Sequence, residues 1–137
     1  MVRREVIRRR LQKLDEYLVI LRHLQRYSVE AFVEDPERYG SAERFLQLAI
    51  ETLTDMGNHV IAELALGAVD SYRDIPEILS RHGHIEDDLR EKWIRMIGFR
   101  NILVHDYLDV DREIVYRALK GDLEDIAALR RAFAHFL

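Results

Sequence analysis

At 137 residues the chain fits one domain, and 48% hydrophobic against 34% charged content excludes a disordered segment. It has no cysteine, which excludes a disulfide scaffold, a thiolate metal site and a cysteine nucleophile. The formal net charge is −4, and only three of the 21 cationic residues are lysines (Lys13, Lys92, Lys120); this argues against a generic nucleic-acid coat or polybasic membrane binder but leaves room for a local arginine site.

No run approaches the ~18 apolar residues of a membrane span. Gln12, Lys13, Asp15 and Glu16 interrupt the N-terminal stretch, so neither a signal peptide nor membrane association is expected, and a cytoplasmic protein is the default.

In chain order, Ile7, Leu11, Leu14, Leu18 and Leu21 step by three and four and predict an amphipathic helix over about residues 3–32. A break at 34–40 precedes Ser41, which reads as the N-cap of a second long helix. That helix carries Phe45, Leu48, Leu53, Met56, Val60 and Leu64 and ends near Gly67. A short helix over about 74–82 has Pro76 in its first turn and Gly83 closing it.

The next helix follows Ile85, with Glu86, Asp87 and Asp88 set against its positive end and Leu89, Trp93, Met96, Ile97, Leu103 and Val104 along it. The turn Asp109-Val110-Asp111 caps a helix through Ala118, and Gly121-Asp122 leads into the last, with Leu123, Ile126, Leu129 and Phe133. Six glycines, two prolines and no period-two alternation point away from strands, so the expected fold is an all-α bundle forming a single domain over 1–137.

One stretch concentrates chemistry: Arg100-Asn101-Ile102-Leu103-Val104-His105-Asp106-Tyr107. On a regular helix Arg100 and His105 lie about 140° apart. Asn101 and His105 share a face, as do Arg100 and Tyr107, seven residues apart. If the helix loosens near Asp109, Arg100 can lean towards His105, and the four side chains form one wide polar ridge.

This set suits RNA cleavage without a metal or other cofactor. His105 transfers a proton near neutral pH, Arg100 holds the scissile phosphate, Asn101 supports either, and the RNA's own 2′-hydroxyl is the nucleophile. One His supplies an acid or a base but not both, and a two-fold homodimer brings two copies together.

Other features weigh less. His82-Gly83-His84 reads as a polar turn rather than half a metal site, since no Glu-x-x-His spacing occurs. Asn58 and His59 form either a buried polar pair or part of a cleft wall. The Arg3, Arg4, Arg8, Arg9, Arg10 cluster reads as a solvated helix face. Tyr72 and Tyr116 are expected to pack at bundle ends, and Asp106 to face solvent or form a late turn.

The run R-N-I-L-V-H-D-Y resembles the R-x4-6-H motif of the HEPN superfamily, in the R-x4-H-x-Y form of HepT-type toxins. The likeness continues through Met56-Gly57-Asn58-His59-Val60-Ile61-Ala62-Glu63, through Tyr72-Arg73-Asp74-Ile75, and through Gly98-Phe99 and Val110-Asp111 around the motif. The resemblance implies a helical, homodimeric, metal-independent ribonuclease with Arg100 and His105 as its catalytic pair and Asn101 in support. It also implies an MntA-like nucleotidyltransferase antitoxin that transfers AMP to Tyr107. The alternative is a non-catalytic module that binds a nucleotide or protein and partners a nucleotidyltransferase.

Overall fold

A computed structural model describes residues 2–137 and, among them, contains helices and no strands. The long helices α1 (Arg4–Leu24) and α3 (Pro36–Glu63) pack together. The short α2 (Val29–Val33) lies between them in sequence. The chain then runs through α4 (Asp74–Arg81), α5 (Asp87–His105), a single 3-10 turn (Tyr107–Asp109), α6 (Arg112–Gly121) and α7 (Leu123–Ala134).

The stripe of Ile7, Leu11, Leu14, Leu18 and Leu21 is buried, as the spacing predicts, but α1 stops at Leu24 rather than near residue 32. Ser28 restarts the helix as the N-cap of α2, accepting from the Ala31 N–H at 3.2 Å. Side chains from α6 and its neighbourhood serve the backbone groups this break releases. The Tyr116 hydroxyl donates to the Tyr27 carbonyl at 2.7 Å, and Lys120 Nζ donates to the Gln25 carbonyl. Gln25 Nε2 in turn donates to the Leu119 carbonyl at 2.8 Å. Tyr116 also packs on Phe32, with ring centroids 5.2 Å apart.

The second long helix begins five residues earlier than Ser41, which lies within it. Asp35 is the N-cap, accepting from the Glu37 N–H at 2.9 Å, and Pro36 occupies the first turn. Its far end precedes Gly67: Ala65 takes the left-handed conformation at φ 52°, and the Leu66 N–H donates to the Ile61 carbonyl. Gly83, at φ +80°, closes α4 as expected. The Asp111 carboxylate caps α6 through the Glu113 N–H at 2.9 Å.

Trp93 of α5 is fully buried, meeting Phe133 of α7 edge-on at 5.9 Å. Gly57 of α3 allows this packing. A methyl group there would stand 2.4 Å from Ile75 Cγ2 of α4 and 3.0 Å from Trp93 Cη2. α3 thus fixes both α4 and α5.

Two glycines within α3 are expected to respond oppositely to alanine. Gly57→Ala forces Ile75 and Trp93 to move and costs about 1–3 kcal/mol. Gly40, where nothing lies within 4 Å of an added methyl, gains about 0.5–1 kcal/mol from the same change. Urea denaturation of the two variants checks both signs.

Asp122, before α7, is raised to about 6 by burial first and by Asp125 second, against the opposing pull of Arg95. Its folded-state pKa lies above the unfolded value, so its stabilising contribution is full below about 3.8. It is lost as pH rises through about 6. Asp122→Asn is therefore expected to stabilise the fold at pH 7.5 by about 1 kcal/mol, since the carboxylate keeps contact with water. That gain should vanish near pH 4, read as the difference in Tm at the two pH values.

Candidate active site on α5

Arg100 stands three residues after buried Ile97 and three before buried Leu103, so its stem lies along the edge of the core-facing stripe. A guanidinium in that position requires an acceptor, because an unpaired buried charge is costly. Glu51 of α3 supplies it: Arg100 Nε and Nη2 both donate to Glu51 Oε1, at 2.9 and 2.7 Å. Gln47 Nε2 donates to the same oxygen at 3.1 Å. The Arg100 side chain is only 17% exposed. The Tyr72 ring lies against its guanidinium at 5.5 Å, and Asn101 Oδ1 accepts from Nη1 at 3.3 Å.

One turn along α3, burial is the main cause that pushes the Asp55 carboxyl above its usual range. Arg10 and Arg100 pull it down, and Glu51 pushes it up. Asp55, Asn58, Tyr72 and Asn101 border a cavity of about 590 Å³ between α3, α5 and the segment leading to α4. A smaller hollow shares Asp55 and Tyr72 with it and reaches Glu51 and Arg100.

His105 is the last residue of α5 and is exposed. The helix stays hydrogen-bonded to that point, with the Asp106 N–H donating to the Ile102 carbonyl at 2.9 Å. Loosening occurs only afterwards: the Asp109 N–H closes back on the Asp106 carbonyl, and Tyr107–Asp109 form the 3-10 turn. Asp106 is thus an exposed turn former, as the sequence suggests.

Two expectations are corrected here. Arg100 does not lean towards His105, because Glu51 holds it against α3. Tyr107 does not share a helical face with Arg100, because α5 ends at His105 and breaks the seven-residue register. Tyr107 instead stands in the turn with 68% of its surface exposed.

The remaining residues divide. Asn58 lines the cavity together with Asn101. His59, the next residue, has Glu63, Arg3 and Arg10 as its charged neighbours, and burial first of all depresses its pKa. Its Nε2 is buried without a hydrogen-bond partner among the described residues. His82 points a ring nitrogen at the Leu66 carbonyl, 3.2 Å away, and His84 packs on Phe136.

Glu51 and Asp55 are absent from the residues the sequence singles out, and Tyr72 is placed differently from its expectation. Tyr72 is not packed at a bundle end but is 52% exposed beside Arg100. The spacing of Glu51, Asp55 and Asn58 places them on one face of α3, which is the signal that was available.

The family model described as "Ribonuclease HepT-like" matches residues 7–133. The chain is 35% identical over 80 residues to the "mRNA nuclease HepT" of Shewanella oneidensis, a stretch covering 58% of this chain and 60% of that relative, so less than two-thirds of its length. It is 26% identical over 134 residues to the "tRNA nuclease HepT" of Aphanizomenon flos-aquae, covering 96% and 90% of the two chains. Its fold is similar to that of a tri-AMPylated Shewanella oneidensis HEPN toxin solved in complex with an MNT antitoxin. That likeness has a TM-score of 0.89 over 97% of this chain and 99% of the other, at 24% identity. With the family match spanning every helix of the bundle, at least in part, the chain belongs to the ribonuclease HepT-like family.

Proposed function

We propose that this chain is the toxin of a HepT/MntA toxin–antitoxin module, a metal-independent RNA endonuclease that uses Arg100 and His105. The observation that carries this reading is a guanidinium fixed by Glu51 in the lining of a small surface hollow, with an exposed imidazole five residues further on the same helix.

The chemistry is transesterification within the RNA. The 2′-oxygen attacks the adjacent phosphorus, the bond from phosphorus to the 5′-oxygen breaks, and a 2′,3′-cyclic phosphate and a 5′-hydroxyl result. A base takes the 2′-hydroxyl proton, and an acid delivers one to the departing 5′-oxygen. Arg100 stabilises the charge gathering on the phosphoryl oxygens, and Asn101 supports it through the hydrogen bond they share.

A homodimer completes this site. Because α5 stays regular to His105, the Arg100 and His105 of one chain diverge by about 140°. A second copy then places its own imidazole near the first chain's guanidinium. Ile102 and Leu108, exposed beside His105, form the apolar surface such a copy covers, with Tyr107 left at its edge.

Tyr107 is the switch. An MntA-like nucleotidyltransferase moves AMP from ATP to its hydroxyl: the Tyr107 oxygen bonds the α-phosphorus, pyrophosphate leaves, and the phenolic proton goes to solvent. Exposure of Tyr107 gives the transferase access. The added phosphodiester sets a negative charge two residues from His105, where it repels the RNA backbone.

Purified protein is expected to cleave RNA in EDTA, and His105→Ala to lower the rate at least ~100-fold while Tm stays unchanged, because His105 is exposed. Equal cleavage by wild type and variant contradicts the reading. Intact mass after co-expression with the transferase should show AMP addition that Tyr107→Phe removes.

A further inference from the structure

We propose that the cavity between α3, α5 and the segment before α4 is a nucleobase subsite. In it, Tyr72 stacks the base next to the scissile phosphate, and Asp55, Asn58, Asp70 and Asn101 read its edge. The inference rests on the ribonuclease reading for the strand it places there, and it extends that reading from where the phosphate sits to which base lies beside it.

Position comes first. The hollow at Arg100 adjoins the larger cavity, with Asp55 and Tyr72 among the residues that line both. A phosphate on the Arg100 guanidinium therefore has its neighbouring nucleotide directed into about 590 Å³, a volume in the range of small-molecule sites.

Tyr72 suits a stacking platform. Its ring touches Arg100 on one side, yet half of its surface remains exposed. The backbone holds it in place: Asp74 Oδ2 accepts from the Asp70 and Ser71 N–H groups at 2.9 and 3.0 Å, and the Ile75 N–H donates to the Tyr72 carbonyl at 3.1 Å. A half-exposed aromatic ring on a pinned turn, beside a phosphate-binding arginine, has the arrangement that single-stranded nucleic-acid sites use.

The polar lining selects a base over a second phosphate. Asp55 and Asp70 both border the cavity, and their carboxylates accept no hydrogen bond from the described residues. Two carboxylates repel a phosphate but accept from an exocyclic amino group. Asn58 and the Nδ2 of Asn101 add amide donors. The subsite therefore favours adenine, cytosine or guanine, which carry such amino groups, over uracil. Arg73, which lines the same cavity, is paired with Glu77 at 3.7 Å.

Kinetics and cleavage-site mapping on an RNA pool test this. Tyr72→Ala should raise KM about 5- to 100-fold and flatten the base preference beside the cut, while Tyr72→Phe, which keeps the ring, keeps the preference. In the His105→Ala background, titration with AMP and UMP should show the stronger binding for AMP, and adding Tyr72→Ala should remove the difference. An unchanged cleavage pattern and KM in Tyr72→Ala overturn the subsite while leaving the ribonuclease reading intact. So does a fall in kcat alone, which makes Tyr72 a support for Arg100. If wild type cleaves no better than His105→Ala, the ribonuclease reading fails, and the nucleotide titration then decides the subsite: discrimination by Tyr72 sustains it, and its absence overturns it.

Discussion

The ion pair between Arg100 and Glu51 joins the fold to its chemistry. It crosses from α5 to α3, and with Arg100 largely covered it operates where water screens charge less than at the surface. The two donors that converge on one Glu51 oxygen fix the direction of the guanidinium, so the group proposed to meet a phosphate is oriented before any RNA arrives. Pre-organisation of this kind is the usual source of electrostatic catalysis, because little reorganisation remains for the moment of reaction. The pair also has a cost. A phosphate must share Arg100 with a carboxylate already in place, so the site discriminates against loosely held anions.

The apolar core makes this arrangement possible. Gly57 lets Ile75 and Trp93 close on α3, and their contact sets how near α4 and α5 approach it. A wider spacing would carry Tyr72 away from Arg100 and open the hollow between them. The end of α5 matters as much. The helix keeps its hydrogen bonds through His105 and then tightens, which leaves the imidazole at a helix end and Tyr107 on a separate exposed turn. The proposed catalytic and switching residues thus sit two positions apart on different local structures, so on this proposal a modified Tyr107 obstructs the site without disturbing α5.

Much of this was legible in the chain itself. The Leu and Ile spacing of α1 gave its buried face and Gly83 gave the end of α4, whereas Arg100, His105 and Tyr107 stood out through the resemblance of R-N-I-L-V-H-D-Y to a family motif and not through spacing alone. The helix boundaries were harder, because competing caps decided them. Ser28 and Asp35 each outweighed the longer periodic pattern, since a satisfied N–H at a helix start outweighs a run of compatible residues. Glu51 was illegible for a different reason. Its spacing with Asp55 and Asn58 marks a polar face of α3, but its partner lies 49 residues away, and that spacing does not announce a pair formed only when two helices dock. Tyr72 was misjudged because an aromatic near a turn is ordinarily core, and only the docking of α5 shows that it flanks a guanidinium instead.

The central claim is that Arg100 of one copy and His105 of another act on a single phosphate. Co-expressing Arg100→Ala and His105→Ala chains tests it most directly, since a mixed pair holds one intact guanidinium and one intact imidazole on different chains. The account predicts that RNA cleavage, absent from either variant alone, returns in the mixed pair. Mixed pairs that form, as native mass spectrometry would show, and still fail to cleave would contradict it.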